Sequence, residues 1–182
     1  MPSTNYPQSL ILGGARSGKS RYAEKLAVQS GKKLIYIATA TVFDDEMQHR
    51  VEQHKTDRQN QDWTTIEEPI ALADAIKKND NCESVILVDC LTLWLNNLLA
   101  ISDTDNQKTR LEAEVTALIN TLNTIQGMVI FVSNEVGQGI VPLGELSRQF
   151  VDEAGRLHQQ LAQKVDHVVL MVAGLPLIVK AE

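Results

Sequence analysis

Leu10–Ala23 reads LILGGARSGKSRYA, and the fold follows from how this stretch is parsed. Gly13, Gly18, Lys19 and Ser20 fit G-x-x-x-x-G-K-[ST], the spacing of a phosphate-binding loop. Leu10, Ile11 and Leu12 in front of it predict a buried strand, and Ser20–Ala27 behind it predicts a helix. A triphosphate needs donors, positive charge and close backbone approach. Glycines bring N–H groups up to phosphate oxygens with no Cβ in the way, and a helix N-terminus adds its dipole. Lys19 supplies a mobile charge for the β and γ phosphates, and the Ser20 hydroxyl is a candidate Mg²⁺ ligand.

Working outward, Leu34–Ala38 is a second apolar strand, as in a parallel sheet covered on both faces. It ends in Thr39-Ala40-Thr41, which should face the loop's pocket, since ligands of open α/β sheets sit at strand carboxyl ends. Ser84–Asp89 is a third strand ending in an acid. Asp89 there is either a Mg²⁺ group or the N-cap of the following helix. Trp63–Glu67 predicts a short strand, and Pro69–Asn79, Leu91–Ala100, Gln107–Gln126 and Leu146–Lys164 predict helices. Gly31 and Gly127 are expected to end the first helix and the long one. Met128–Val132 is the fourth strand. Ser133–Pro142 follows as a loop with two glycines and an acid, a candidate binding loop. Val168–Val172 and Leu177–Val179 predict a closing hairpin joined through Ala173–Pro176. The fold class is therefore α/β, a mostly parallel sheet with an antiparallel C-terminal edge and helices on both faces.

Between the second strand and Trp63, Asp44–Arg58 predicts a helix on which Arg50, His54 and Arg58 share one stripe. Such a stripe suits an anion, although basic residues on a helix are commonly just solvated.

Composition narrows the partners. The 182 residues carry a net charge of −6, with Lys and Arg scattered, which disfavours nucleic acid and anionic membranes. Two cysteines, Cys82 and Cys90, give no disulfide framework, and the histidines show no zinc spacing. The N-terminus lacks signal-peptide character and no apolar run reaches membrane-spanning length, so a cytoplasmic enzyme without a membrane anchor is expected. A regulatory GTPase needs Asn-Lys-x-Asp after a strand. The nearest match, Gln163-Lys164-Val165-Asp166, starts with the wrong residue and follows a helix. Transferases remain.

The chain resembles the bifunctional adenosylcobinamide kinase/adenosylcobinamide-phosphate guanylyltransferase family of cobalamin biosynthesis. GGARSGKSRYAE, YIATA, DDEMQHRVEQHKTDR, WTTIEEP, VDCLTLWLNNLL, SNEVGQGIVP and AGRLHQQLA carry the resemblance, in order, over nearly the whole chain. It implies a phosphate-loop NTPase fold of RecA-like type, and the length, residues 1–182, predicts one domain, with room for a small excursion. It implies phosphorylation of adenosylcobinamide by ATP or GTP, then transfer of GMP from GTP through a GMP-histidine. The family's H-x-x-x-R element falls on His54 and Arg58. By the same resemblance the nucleotide contacts fall on Gly13, Gly14, Ala15, Arg16, Ser17, Gly18, Lys19 and Ser20, on Ala38, Thr39 and Ala40, on Lys55, Thr56, Asp57 and Arg58, and on Glu67 and Asp89. Ser20 and Asp89 would hold Mg²⁺, and His54 and Lys19 would be catalytic. Family members assemble as homo-oligomers, often trimers. His158 stands where the family's AGR element leads us to expect Asn, and Lys55 where Arg is common. A plain small-molecule kinase and a non-enzymatic nucleotide-binding regulator are the alternatives.

Overall fold

The computed structural model describes residues 6–41, 62–101 and 107–181. The predicted stripe helix, with His54 and Lys55–Arg58, lies outside the described residues. The strands are β1 (Gln8–Gly13), β2 (Lys33–Ala38), β3 (Trp63–Glu67), β4 (Ser84–Asp89), β5 (Met128–Asn134), β6 (His167–Val172) and β7 (Leu175–Ala181). The helices are α1 (Lys19–Gln29), α2 (Leu72–Asn79), α3 (Leu91–Leu99), α4 (Gln107–Thr121) and α5 (Glu145–Lys164).

The strands form one sheet in the order β3-β2-β4-β5-β1-β6-β7. All pairs are parallel except β6–β7, which is antiparallel. This is the expected fold class. Alternation along the strands divides the apolar side chains between two layers. Ile11, Val85, Leu87, Ile130 and Val132 pack with Ala23, Leu26 and Ala27 of α1. Leu10, Ile86, Val88, Val129 and Phe131 face the other way, onto Leu72, Ile76, Trp94, Leu95, Leu118 and Leu157 from α2 to α5. Burial on both faces is why β4 and β5 are apolar nearly throughout.

Two helix ends differ from expectation. The first is the start of α2. The Glu68 carboxylate accepts the N–H groups of Ile70 and Ala71 at 2.9 and 2.7 Å, so the chain turns there and the helix begins at Leu72 rather than Pro69. The second is the end of α4, which comes at Thr121, before Gly127. Asn123 and Thr124 close short turns onto the carbonyls of Asn120 and Thr121. Gln126 and Gly127 then donate to the Asp80 carboxylate at 2.8 and 2.9 Å. Gly127 is not a helix stop. A Cβ there would come within 2.3 Å of the Asn81 carbonyl oxygen and 2.7 Å of that of Ser84, so it is a site of close backbone approach. In the hairpin the link is two residues, Ala173 and Gly174, both with positive φ as in a type I′ turn, and Leu175 and Pro176 belong to β7.

Candidate functional site

The parallel strands place their carboxyl ends on one edge. Gly13 ends β1 and is in register with Asn134 of β5 and Met171 of β6. Asp89, Ala38 and Glu67 form one row across β4, β2 and β3. At the usual 4.7–4.9 Å per strand, Glu67 lies four strands or roughly 19 Å to the side of the loop. Glu67 and Lys19 therefore do not share one phosphate group.

The loop between β1 and α1 turns tightly. A Cβ on Gly13 would approach the Met171 carbonyl oxygen to 2.6 Å, so β6 leaves room only for glycine. Arg16 sits at φ 54, left-handed for a residue with a side chain, at a place where such strain marks function rather than packing. Gly18 caps α1 with no side-chain hydrogen bond, and the first turn holds no acid. The free N–H groups there suit an anion. Lys19 is 7% exposed and its Nζ donates to the Gly14 carbonyl at 2.6 Å. Burial holds its pKa below the ordinary lysine value, and the nearby Asp89 carboxylate pushes the other way. Ser17 Oγ is buried with no hydrogen-bond partner among the described residues.

Thr39 is fully buried, and its hydroxyl both donates to the Cys90 carbonyl at 2.7 Å and accepts the Cys90 N–H at 2.9 Å. Asn97 Nδ2 holds the Thr39 carbonyl at 2.7 Å and that of Pro69 at 3.2 Å. These bonds fix the ends of β2 and β4 to each other. The Thr39 side chain thus has a structural task, and Ala38 and Ala40 are set beside it. The alternative reading of Asp89 as a helix cap is not what the structure shows: the N-cap of α3 is Cys90, with no side-chain cap bond. Asp89 is half-buried at the strand end, close enough for its charge to act on Lys19.

Next to the loop, the Glu135 N–H donates to the Gly13 carbonyl at 2.9 Å. Its Oε1 accepts the Gly137 N–H at 2.8 Å, and its Oε2 lies 3.9 Å from His158 Nδ1. His158 Nε2 is 2.7 Å from Ser133 Oγ. Burial pushes the His158 pKa down, against the nearby Glu135 carboxylate. Glu135, Gln138, Gly14, Ser17 and Met171 line a cavity of about 340 Å³. Sequence reading reached Glu135 only as the acid of a binding loop. The His158 ring that faces it comes from 23 residues further along the chain, and Ser133 behind that ring from 2 residues before it, with no spacing that ties them to one site.

Among the described residues no three His, Cys, Asp or Glu groups gather for a metal. Mg²⁺ does not need such a cage, because it is bound by one or two protein oxygens together with substrate phosphates and water. Ser20 in the first turn of α1 and Asp89 at the end of β4 fit that description.

A central parallel sheet, a glycine loop into an uncapped helix, a lysine at the loop and an acid two strands away define a phosphate-loop nucleotide-binding protein. Solved structures agree on the fold. The RadB recombinase superposes with a TM-score of 0.52 at 16% identity, over 91% of this chain and 74% of that one. The flagellar accessory protein FlaH of Methanocaldococcus jannaschii superposes with a TM-score of 0.50 at 14% identity, over 97% and 79%. The sequence pattern of the family described as cobinamide kinase / cobinamide phosphate guanyltransferase, CobU, matches residues 9–179, and the chain belongs to that family. It is 51% identical over 175 residues to the bifunctional adenosylcobalamin biosynthesis protein CobP of Pseudomonas aeruginosa, covering 96% of this chain and 98% of that protein. With the bifunctional adenosylcobalamin biosynthesis protein CobU of Escherichia coli it shares 39% over 180 residues, covering 94% and 98%.

Proposed function

We propose that this chain phosphorylates the aminopropanol hydroxyl of adenosylcobinamide with ATP or GTP, then transfers GMP from GTP to the new phosphate, giving adenosylcobinamide-GDP. The observation that carries this is the family match over residues 9–179, which contains the whole phosphate loop and both acids, Asp89 and Glu67.

In the kinase step, Gly13, Gly14, Ala15, Arg16, Ser17 and Gly18 cradle the phosphates, and Lys19 holds the β and γ oxygens. Ser20 and Asp89 hold Mg²⁺, which supplies charge neutralisation when bound. In the guanylyl step His54 is the nucleophile. A neutral imidazole attacks at pH 7, and Arg50, Lys55 and Arg58 are the cations for the charge that develops at the α-phosphorus. Thr56 and Asp57 lie between them, and Ala38, Thr39, Ala40 and Glu67 serve the nucleotide from the β2–β3 side. The working form is a cytoplasmic homo-oligomer, a trimer by family resemblance. The exposed apolar residues of the edge strand β7 support an oligomer: Leu177, Ile178 and Val179 are each more than half exposed.

The test uses GTP labelled at the α-phosphorus, with Mg²⁺ and no corrinoid. Label should appear on the chain, be lost in mild acid and kept in base, and be absent from His54→Ala. Adding adenosylcobinamide should give its GDP derivative by mass. No label on the wild-type chain and no phosphorylated corrinoid would overturn the reading; a label that survives acid would overturn the histidine route alone.

A further inference from the structure

We propose that Glu135 is the catalytic base that orients and deprotonates the acceptor hydroxyl in phosphoryl transfer, and that His158 and Ser133 are positioning residues that hold it there. The proposal rests on the kinase reading above.

Glu135 is the first residue beyond β5, the strand beside β1. Its backbone is tied to Gly13 at 2.9 Å, so its carboxylate is carried at a set place beside the phosphate loop. The cavity that contains it also contains Gly14, whose carbonyl oxygen holds the Lys19 ammonium. An acceptor that is to meet the γ-phosphate has to enter next to that lysine. The same wall carries Ser17, whose buried Oγ has no partner among the described residues and is ready for a polar ligand. Asp89 belongs to β4, on the other side of β5, and would serve the metal.

The support behind the carboxylate is polar and buried. His158 is 7% exposed and Ser133 1%. One tautomer satisfies both contacts of the ring. With Nδ1 protonated and facing Glu135, Nε2 is left to accept the Ser133 hydroxyl at 2.7 Å. The opposite tautomer would turn a lone pair toward the carboxylate. The Gly137 N–H at Oε1 fixes the second oxygen. A carboxylate with one oxygen bonded and the other facing the ring at 3.9 Å loses little freedom when substrate arrives.

In the step itself the acceptor O–H proton passes to the Glu135 carboxylate as the oxygen bonds to the γ-phosphorus. The bond from that phosphorus to the bridging oxygen breaks, and the nucleoside diphosphate leaves with the electron pair. Glu135 then releases the proton to water. A positioned base of this kind contributes on the order of 10²–10⁴ in rate.

The experiment measures transfer from γ-labelled GTP to adenosylcobinamide, with GTP affinity and melting temperature read in parallel. Glu135→Gln keeps an acceptor for the Gly137 N–H and should lower kcat by about 100-fold or more, while GTP affinity changes less than threefold. Glu135→Asp withdraws the carboxylate by about one methylene and should also lower kcat, which serves if the Gln variant melts early. His158→Leu should lower kcat by about tenfold in the wild-type background and have no further effect in the Glu135→Gln background, the mark of two residues acting through one another. Unchanged kcat in both Glu135 variants overturns the base. Equal losses from His158→Leu in both backgrounds overturn the positioning role. A wild-type protein that transfers nothing to the corrinoid fails the kinase reading instead.

Discussion

Lys19 Nζ donates its 2.6 Å hydrogen bond to the carbonyl of Gly14, five residues back on the same loop. The ammonium is buried, and burial alone would favour its neutral form; the carboxylate of Asp89 works against that. The loop's own backbone thus satisfies a charge whose task is to meet phosphate.

Replacing that charge tests the assignment. Lys19→Ala should weaken GTP binding and lower kcat for phosphoryl transfer, with the summed loss in kcat/KM worth about 1.5–3 kcal/mol or more for a charge-assisted contact. Lys19→Arg should fail as well, because the planar fork does not fit a bend built for a point charge. Titration with a fluorescent GTP analogue and steady-state kinetics check this. Near wild-type turnover in Lys19→Ala would mean that another residue holds the phosphates.

Strands were legible in the sequence because burial on both faces leaves continuous apolar runs. Ser84–Asp89 coincides with β4 from end to end. Their order in the sheet was not, since β5, fifth in the chain, enters between β1 and β4. The end of α4 departs from the apolar period for a physical reason. Leu122 and Ile125 continue the apolar period and do pack on the core, but Asp80, 46 residues earlier than Gln126, captures the backbone N–H groups that a helix would use. The phosphate loop was read in full from local spacing. Glu135 was legible as an acid in a loop, its support was not. His158 looked like a departure from a family pattern, and only the fold shows that its ring bridges Ser133 and Glu135.

Gly127 offers a test of the corrected helix end. A helix-stop glycine sits at positive φ, where alanine is strained, and Gly127 is not among the glycines that do. The structure puts its absent side chain against two backbone carbonyls that cannot swing away. Gly127→Ala should therefore destabilise the protein by about 1–3 kcal/mol, the usual cost of overpacking a tight site. Urea unfolding measures it; a change below about 0.5 kcal/mol, as for an ordinary surface site, would refute the close approach.

The two cysteines should separate by reactivity. Cys82 is exposed and Cys90 is buried. Burial and the adjoining Asp89 charge push the Cys90 thiol up to about 11, so it holds almost no thiolate at neutral pH. A thiol-specific chromogenic reagent should label one equivalent in the native protein, at Cys82, and two after denaturation. Rapid native labelling of Cys90 would show that the junction of β4 and α3 opens in solution.

Acid should destabilise the fold through its buried histidines. His158 and His167 both have pKa values lowered by burial. The direction of the effect follows from proton counting. In the unfolded chain each imidazole titrates near 6.5. In the folded chain each stays neutral to lower pH. As pH falls through about 6.5 the unfolded state therefore binds more protons than the folded one, and stability declines until the folded pKa is reached. Each histidine contributes a slope of up to about 1.4 kcal/mol per pH unit in that window. Glu114 has the opposite sign. Its carboxyl is pushed up by burial, so as pH falls it gains its proton in the folded state first, in a window that ends at 4.5. Comparing the wild type with His158→Asn removes the shared terms. Asn has no imidazole to charge, and its amide falls at the Nδ1 position, short of the Ser133 hydroxyl that Nε2 meets. The wild type should lose more melting temperature than the variant between pH 7.5 and 5.5, and the curves should run parallel, at a fixed offset, above pH 7.5. Parallel curves over the whole range would show that the His158 ring takes up its proton in the fold as easily as in the open chain.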